Sequence, residues 1–132
     1  MKVLALDYGS ARTGVAVSDA TGTLARPVGV VERAGSEAGL RRLAELVADE
    51  EPDRVVVGLP LTLRGEHGAQ AEETERFVEA LRLTLDVPVE RFDERFTTTL
   101  ASAGPSLRAP EDARAAAHLL ESYLAYLGGA GV

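Results

Sequence analysis

The chain has 132 residues, with 14 Lys and Arg against 21 Asp and Glu for a formal charge of −7, 45% hydrophobic residues and no cysteine. That length suits one domain with a core of two or three layers, and the average apolar content excludes a disordered chain. The missing cysteines exclude disulfides, thiolate zinc sites and a cysteine nucleophile, and the acidity excludes a general attraction to phosphate backbones, so any nucleic-acid partner has to be held by a local patch or by metal ions.

The opening run Val3–Asp7 is apolar until it ends in a carboxylate, which predicts a strand buried on both faces. Tyr8-Gly9-Ser10-Ala11-Arg12 is a turn, and Thr13–Ser18 alternates with Val15 and Val17 on one face and Gly14 and Ala16 on the other, a second strand in hairpin with the first. A turn at Asp19–Gly22 leads to a third strand over Pro27–Val31. Ser36–Glu50 switches to helical spacing through Leu40, Leu43, Leu46 and Val47, with Ser36 as N-cap and Gly39 a blemish. Arg54–Leu59 is another buried strand closed by Pro60. Thr62–Gly68 reads as a polar loop, Gln70–Leu85 as a helix with a Phe77, Leu81 and Leu85 stripe, and Val87–Phe92 as the last strand. A final helix from Pro110 to Leu127 carries Ala113, Ala116, Ala117, Leu120, Leu124 and Leu127 on one face, with Gly128-Gly129 as its stop. The expected fold class is α/β, a mixed sheet with helices on its faces, in a single domain over residues 1–132. The N-terminus is far from a signal peptide and no run approaches the ~18 apolar residues of a membrane span, so a soluble, cytoplasmic protein is expected, with no membrane partner.

Three carboxylates stand at the ends of elements: Asp7 closes the first strand, Glu94 follows the last, and Asp112 opens the final helix. In open α/β sheets such ends converge on the ligand edge. Carboxylates without His or Cys select hard cations such as Mg²⁺ or Mn²⁺, and two such ions can drive an in-line phosphoryl displacement. Each residue also has an ordinary reading: Asp7 as a turn cap, Glu94 as an ion-pair partner of Arg95 with Asp93 as its rival on the opposite face, and Asp112 as a favourable charge in a first helical turn. His67 and His118 read as solvated, and Tyr123 and Tyr126 as packing residues. Gly9 and Gly14 either let backbone approach a phosphate or serve the hairpin. Thr97-Thr98-Thr99 supplies phosphate contacts or a helix cap. Lys2 is the only lysine beside 13 arginines, which reflects either coding bias or the bidentate phosphate geometry of Arg.

Together, Leu6-Asp7-Tyr8-Gly9-Ser10-Ala11-Arg12-Thr13-Gly14-Val15-Ala16-Val17-Ser18-Asp19 resembles the opening motif of the YqgF/RuvX family, bacterial Holliday-junction-resolvase-like nucleases. Val57-Gly58-Leu59-Pro60-Leu61 with the Gly65 loop resembles the second motif, Phe92-Asp93-Glu94-Arg95-Phe96-Thr97-Thr98 the Asp-Glu-Arg motif, and Asp112–Tyr123 the closing helix. The resemblance spans Lys2 to about Leu127. It implies a ribonuclease H-like three-layer fold, with a mixed five-stranded sheet whose first three strands are antiparallel, flanked by helices. It also implies metal-dependent phosphodiester hydrolysis with 5′-phosphate products, a role in maturing pre-16S rRNA, and links to transcription and recombination. By motif match Asp7, Glu94 and Asp112 become a catalytic, metal-binding triad for two divalent cations, Mg²⁺ or Mn²⁺. Arg12, Arg64, Arg95, Thr97 and Thr98 are the expected substrate contacts.

Two departures from the family pattern qualify this expectation. Residues 101–110 are short and nearly uncharged where relatives carry a longer basic segment, so single-stranded RNA or DNA is expected ahead of four-way junctions. His118 stands where an aliphatic residue is usual. Two other functions compete: a non-catalytic module binding the pre-ribosome or transcription machinery, and an ATP-handling protein, since the Asp7–Gly9 hairpin also resembles phosphate loops of the sugar-kinase and actin superfamily.

Overall fold

The protein was analysed as a computed structural model, which describes residues 1–60, 68–96 and 111–130. Five strands and three helices follow in the order β1 (Val3–Asp7), β2 (Arg12–Ser18), β3 (Ala25–Glu32), α1 (Glu37–Glu50), β4 (Arg54–Leu59), α2 (Ala69–Thr84), β5 (Val89–Asp93) and α3 (Glu111–Ala130), with a 3₁₀ turn at Glu94–Phe96. The spatial order of the strands is β3-β2-β1-β4-β5. β1 is antiparallel to β2, and β2 to β3, while β4 lies parallel to β1 and β5 parallel to β4. This is the mixed sheet expected from three meandering strands followed by α/β alternation.

Alternation along the strands builds two cores. Leu4, Leu6, Val15, Val17, Val55 and Val57 face α1 and α2, whereas Val3, Ala5, Ala16, Val56 and Phe92 face α3, because successive strand side chains point to opposite sides. The result is three layers with the sheet in the middle. Ser36 caps α1 as expected, its hydroxyl accepting from the Gly39 N–H at 3.0 Å. At the end of the sheet away from the Asp7 edge, Arg54 donates to the Tyr123 hydroxyl at 2.7 Å and Tyr123 donates to Glu90 at 2.9 Å, tying α3 to β4 and β5.

Several expectations need correction. β3 extends beyond Pro27–Val31 at both ends, and β5 begins at Val89 rather than Val87. Gly128-Gly129 does not stop α3, which continues to Ala130, since glycine weakens a helix by about 1 kcal/mol without forbidding its dihedrals. Gly39 is not a blemish. A Cβ there would come 2.2 Å from the Arg33 carbonyl oxygen, so α1 packs against its own entry turn only with glycine at this position. His118 is half-buried rather than solvated, with Nδ1 buried and without a hydrogen-bond partner among the described residues and Glu121 Oε1 at 3.6 Å. Tyr123 is a core residue, but Tyr126 is half-exposed and meets Phe92 edge-on. Pro110 and the 62–67 part of the polar loop lie outside the described residues. No helix among the described residues is long and apolar enough to cross a membrane.

Candidate active site

Strand parity decides which acidic side chains share a face. Asp7 continues the Val3, Ala5 series and so points to the α3 side. β5 puts Glu90 against Tyr123 and Phe92 into the α3 core, and Glu94 follows on that side. Asp93 points the other way and is claimed by Arg95, whose backbone N–H and guanidinium both reach its carboxylate, at 2.9 and 2.5 Å. Arg95 holds Asp93 below its ordinary range, while Glu94 stands on the α3 side.

Two glycines on the neighbouring strands let the elements close around Asp7. Gly14 is the cross-strand partner of Asp7, and a Cβ on it would lie 1.8 Å from the Asp112 carbonyl oxygen. The first turn of α3 therefore rests directly on β2, bringing Asp112 beside Asp7. Gly58 in β4 plays the same part on the other side, since its Cβ would come 3.1 Å from Glu94 Cγ and Oε2 and from Leu119. The space at Gly9 is also used internally, by the Arg12 carbonyl oxygen. Both glycines of the opening motif thus admit the protein's own backbone. Gly58 was not foreseen, although a lone glycine inside an apolar strand is a recognisable sign of close approach.

Electrostatically Asp7 is the centre of the group. Burial first, then the charge of Asp112, push its carboxyl above the ordinary value. Burial, then Asp7 and Asp93, push Glu94 up to about 7. Among the described residues neither Asp7 nor Glu94 has a cationic partner. Asp112 has one, Arg12 Nε at 3.3 Å. A groove of about 390 Å³ opens beside this pair, between Val30, Glu32 and Glu111. Among the described residues no three acidic or histidine side chains stand close enough together to hold a metal ion as they are placed. The donor set nevertheless fits hard divalent cations in its chemistry: it is all oxygen, two of its members are half-buried without a counter-charge among the described residues, and such repulsion is relieved by a bound cation.

Of the expected substrate contacts, Arg12 lies at the rim on Asp112 and Arg95 is occupied by Asp93. Arg64, Thr97, Thr98, Thr99 and His67 lie outside the described residues. On the opposite side of the sheet edge the sequence concealed a polar network: Tyr8 and Ser10 both donate to Glu73 of α2, at 2.6 and 2.7 Å, and Tyr8 stacks on Phe77 with ring centroids 4.4 Å apart. Tyr8 and Glu73 are 65 positions apart in the chain, a pairing that no local pattern signals.

A mixed sheet in the order 3-2-1-4-5 flanked by helices is the architecture of RuvC-like, ribonuclease H-like proteins. The T. thermophilus RuvC in complex with Holliday junction substrate superposes with a TM-score of 0.70 at 18% identity, covering 98% of this chain and 96% of that one. The family model described as RuvX, Holliday junction resolvase, matches residues 1–126. A relative from Chloroflexus aurantiacus (strain J-10-fl), named "Putative pre-16S rRNA nuclease", is 41% identical over 130 residues, covering 92% of this chain and 85% of its own length. One of the same name from Desulforudis audaxviator is 40% identical over 132 residues, covering 94% of each. The chain belongs to the RuvX family, a family of nucleases.

Proposed function

We propose that this protein is a divalent-cation-dependent nuclease that hydrolyses phosphodiester bonds in single-stranded RNA or DNA, acting in the cytoplasm in the maturation of pre-16S rRNA. The observation that carries the reading is the position of Asp7, Glu94 and Asp112 on one face of the sheet edge, with Asp7 and Glu94 half-buried and without a cationic partner among the described residues. The names of the relatives support the rRNA role.

Asp7, Glu94 and Asp112 would hold two Mg²⁺ or Mn²⁺ ions. Bound there, such a pair would supply an activated water and charge neutralisation at the departing 3′-oxygen, with a 5′-phosphate product. Among the described residues Asp7 and Glu94 have no ion pair to give up on ligation, whereas Asp112 has to release Arg12. The released guanidinium then faces the groove and is placed to take a backbone phosphate. Arg64, Arg95, Thr97 and Thr98 are assigned to the same strand.

The test is cleavage of single-stranded RNA, single-stranded DNA and four-way junctions with Mg²⁺ or Mn²⁺, comparing the wild type with Asp7→Asn. Single strands should be cut to 5′-phosphate ends, and Asp7→Asn should lose more than the roughly 10–100-fold that removal of an outer-shell partner costs. Equal activity in the two proteins would sink the site. An inactive wild type that binds pre-ribosomal particles as well as Asp7→Asn does would favour a non-catalytic module instead.

A further inference from the structure

Beyond the carboxylates, a second concavity lies around the same sheet edge on the α1/α2 side. It has a volume of about 290 Å³, space for roughly ten waters. Tyr8 and Phe77 form its aromatic wall, Ser10 and Ser36 bring hydroxyls, and Arg33 and Arg76 supply charge.

Three features make this more than a dent between helices. First, most described arginines sit within 4.0 Å of a carboxylate, namely Arg12, Arg26, Arg41, Arg42, Arg54, Arg82, Arg91 and Arg95. Among the described residues Arg33, Arg76 and Arg114 have no carboxylate that near, and two of these three line this one cavity. In a chain of net charge −7, the two guanidiniums of this concavity outnumber its single carboxylate, Glu73, which Arg76 influences through space, and leave a local positive excess. Second, Glu73, the acidic residue of the lining, already accepts hydrogen bonds from Tyr8 and Ser10. Third, Arg33 has φ +46°, a left-handed conformation in which glycine is less strained than any residue with a Cβ. Its backbone is fixed there, because its N–H donates to the Ala11 carbonyl at 2.9 Å and the Ser36 hydroxyl and N–H both donate to its own carbonyl, at 2.7 and 2.9 Å. The fold would sit more easily with glycine at this position, and the arginine side chain it carries instead lines the cavity. Strain of this kind points to a role for the side chain.

We propose that this cavity is a second anion site, in which Arg33 and Arg76 take a phosphate of the nucleic-acid strand at a nucleotide flanking the one held over the carboxylates. The inference rests on the nuclease reading above. Asp7 and Tyr8 are consecutive and point to opposite faces, so a strand draped over the Tyr8–Ser10 turn reaches both sites. Arg33 and Arg76 grip the phosphate, and the Tyr8 ring offers a face to the adjoining sugar or base.

The experiment is fluorescence anisotropy with a labelled single-stranded RNA 12-mer in EDTA, where no cleavage occurs, over 50–200 mM KCl. Arg33→Gly should leave the melting temperature equal to or above that of the wild type, yet weaken binding about 3- to 10-fold. Arg33→Gly combined with Arg76→Ala should also flatten the salt dependence by about 0.7 in slope for each phosphate that is no longer neutralised. Lysine at both positions should restore most of the affinity. Unchanged affinity and slope in the double variant would overturn the site. So would an AMP-dependent thermal shift that the double variant loses while RNA affinity stays constant, because the anion would then be a free nucleotide. A wild type that binds through these arginines but never cleaves would count against the nuclease reading alone.

Discussion

The two faces of the sheet are made from alternate residues of the same strands, and they differ in kind. Toward α1 and α2 the strands present Leu4, Leu6, Val15, Val17, Val55 and Val57, large side chains that fill a core. Toward α3 they present Val3, Val56 and Phe92 but also Ala5, Ala16 and two glycines, and where these small residues stand the helix comes close; just past Ala5 and Phe92 that same face carries Asp7 and Glu94. One face stores most of the apolar burial, and the other trades volume for proximity. A substitution's consequence should therefore follow its parity in the strand more than its distance from the site.

The largest effect is expected from Gly14→Ala. The new Cβ meets backbone at 1.8 Å, which no side-chain rotation relieves, so urea denaturation should show a loss above about 3 kcal/mol, and α3 should lift with Asp112, removing cleavage. Gly29→Ala, where nothing lies within 4 Å, should stay within about 0.5 kcal/mol of wild type. On the other face, Leu6→Ala removes a fully buried side chain one residue before Asp7. It should cost about 3 kcal/mol while activity per folded molecule is retained. Loss of activity out of proportion to unfolding in Leu6→Ala would break the division between the faces.

A smaller effect concerns pH. The Glu94 carboxyl, ordinarily near 4.5, is raised to about 7. The fold thus keeps a proton that the unfolded chain releases, and the resulting stability is fully present below about pH 4.5 and lost as pH rises through about 7. In metal-free buffer at pH 8, Glu94→Gln should exceed the wild type by about 1 kcal/mol, a figure reduced for partial solvent screening, and the two should coincide near pH 4. A Glu94→Gln variant less stable than wild type at pH 8 would contradict the raised value. The smallest change is His118→Leu, which removes a buried nitrogen lacking a hydrogen-bond partner among the described residues and should raise stability by about 0.5–1 kcal/mol, read as a melting temperature a few degrees higher.

Much of this division was legible in the sequence, because period-two alternation and the end of a buried run are local signals. Val3–Asp7 and Arg54–Leu59 have the bounds their apolar runs predict, and the Ser36 cap follows from hydroxyl chemistry. The grouping of Asp7, Glu94 and Asp112 at one edge also follows from element ends. What stayed hidden depends on partners distant in the chain. Gly14 and Gly58 are small because of Asp112 and Glu94, Gly39 because of the Arg33 carbonyl, and the Tyr8–Glu73 hydrogen bond joins the first strand to the second helix. The continuation of α3 through Gly128 shows the converse, a local stop signal that the surrounding fold does not obey.

The hydroxyl of Tyr123, fastened to Arg54 and Glu90, acts on the far end of the helix as a fulcrum. Asp112 lies eleven residues away, about 16 Å along the axis, so a tilt of roughly 5° about Tyr123 swings it by about 1.4 Å. Gly14 blocks that swing toward the sheet but not away from it. The aim of the outermost carboxylate thus depends on a phenol remote from any chemistry as well as on the Gly14 contact, and a Tyr123→Phe protein would reveal whether the lever holds its angle without its pin.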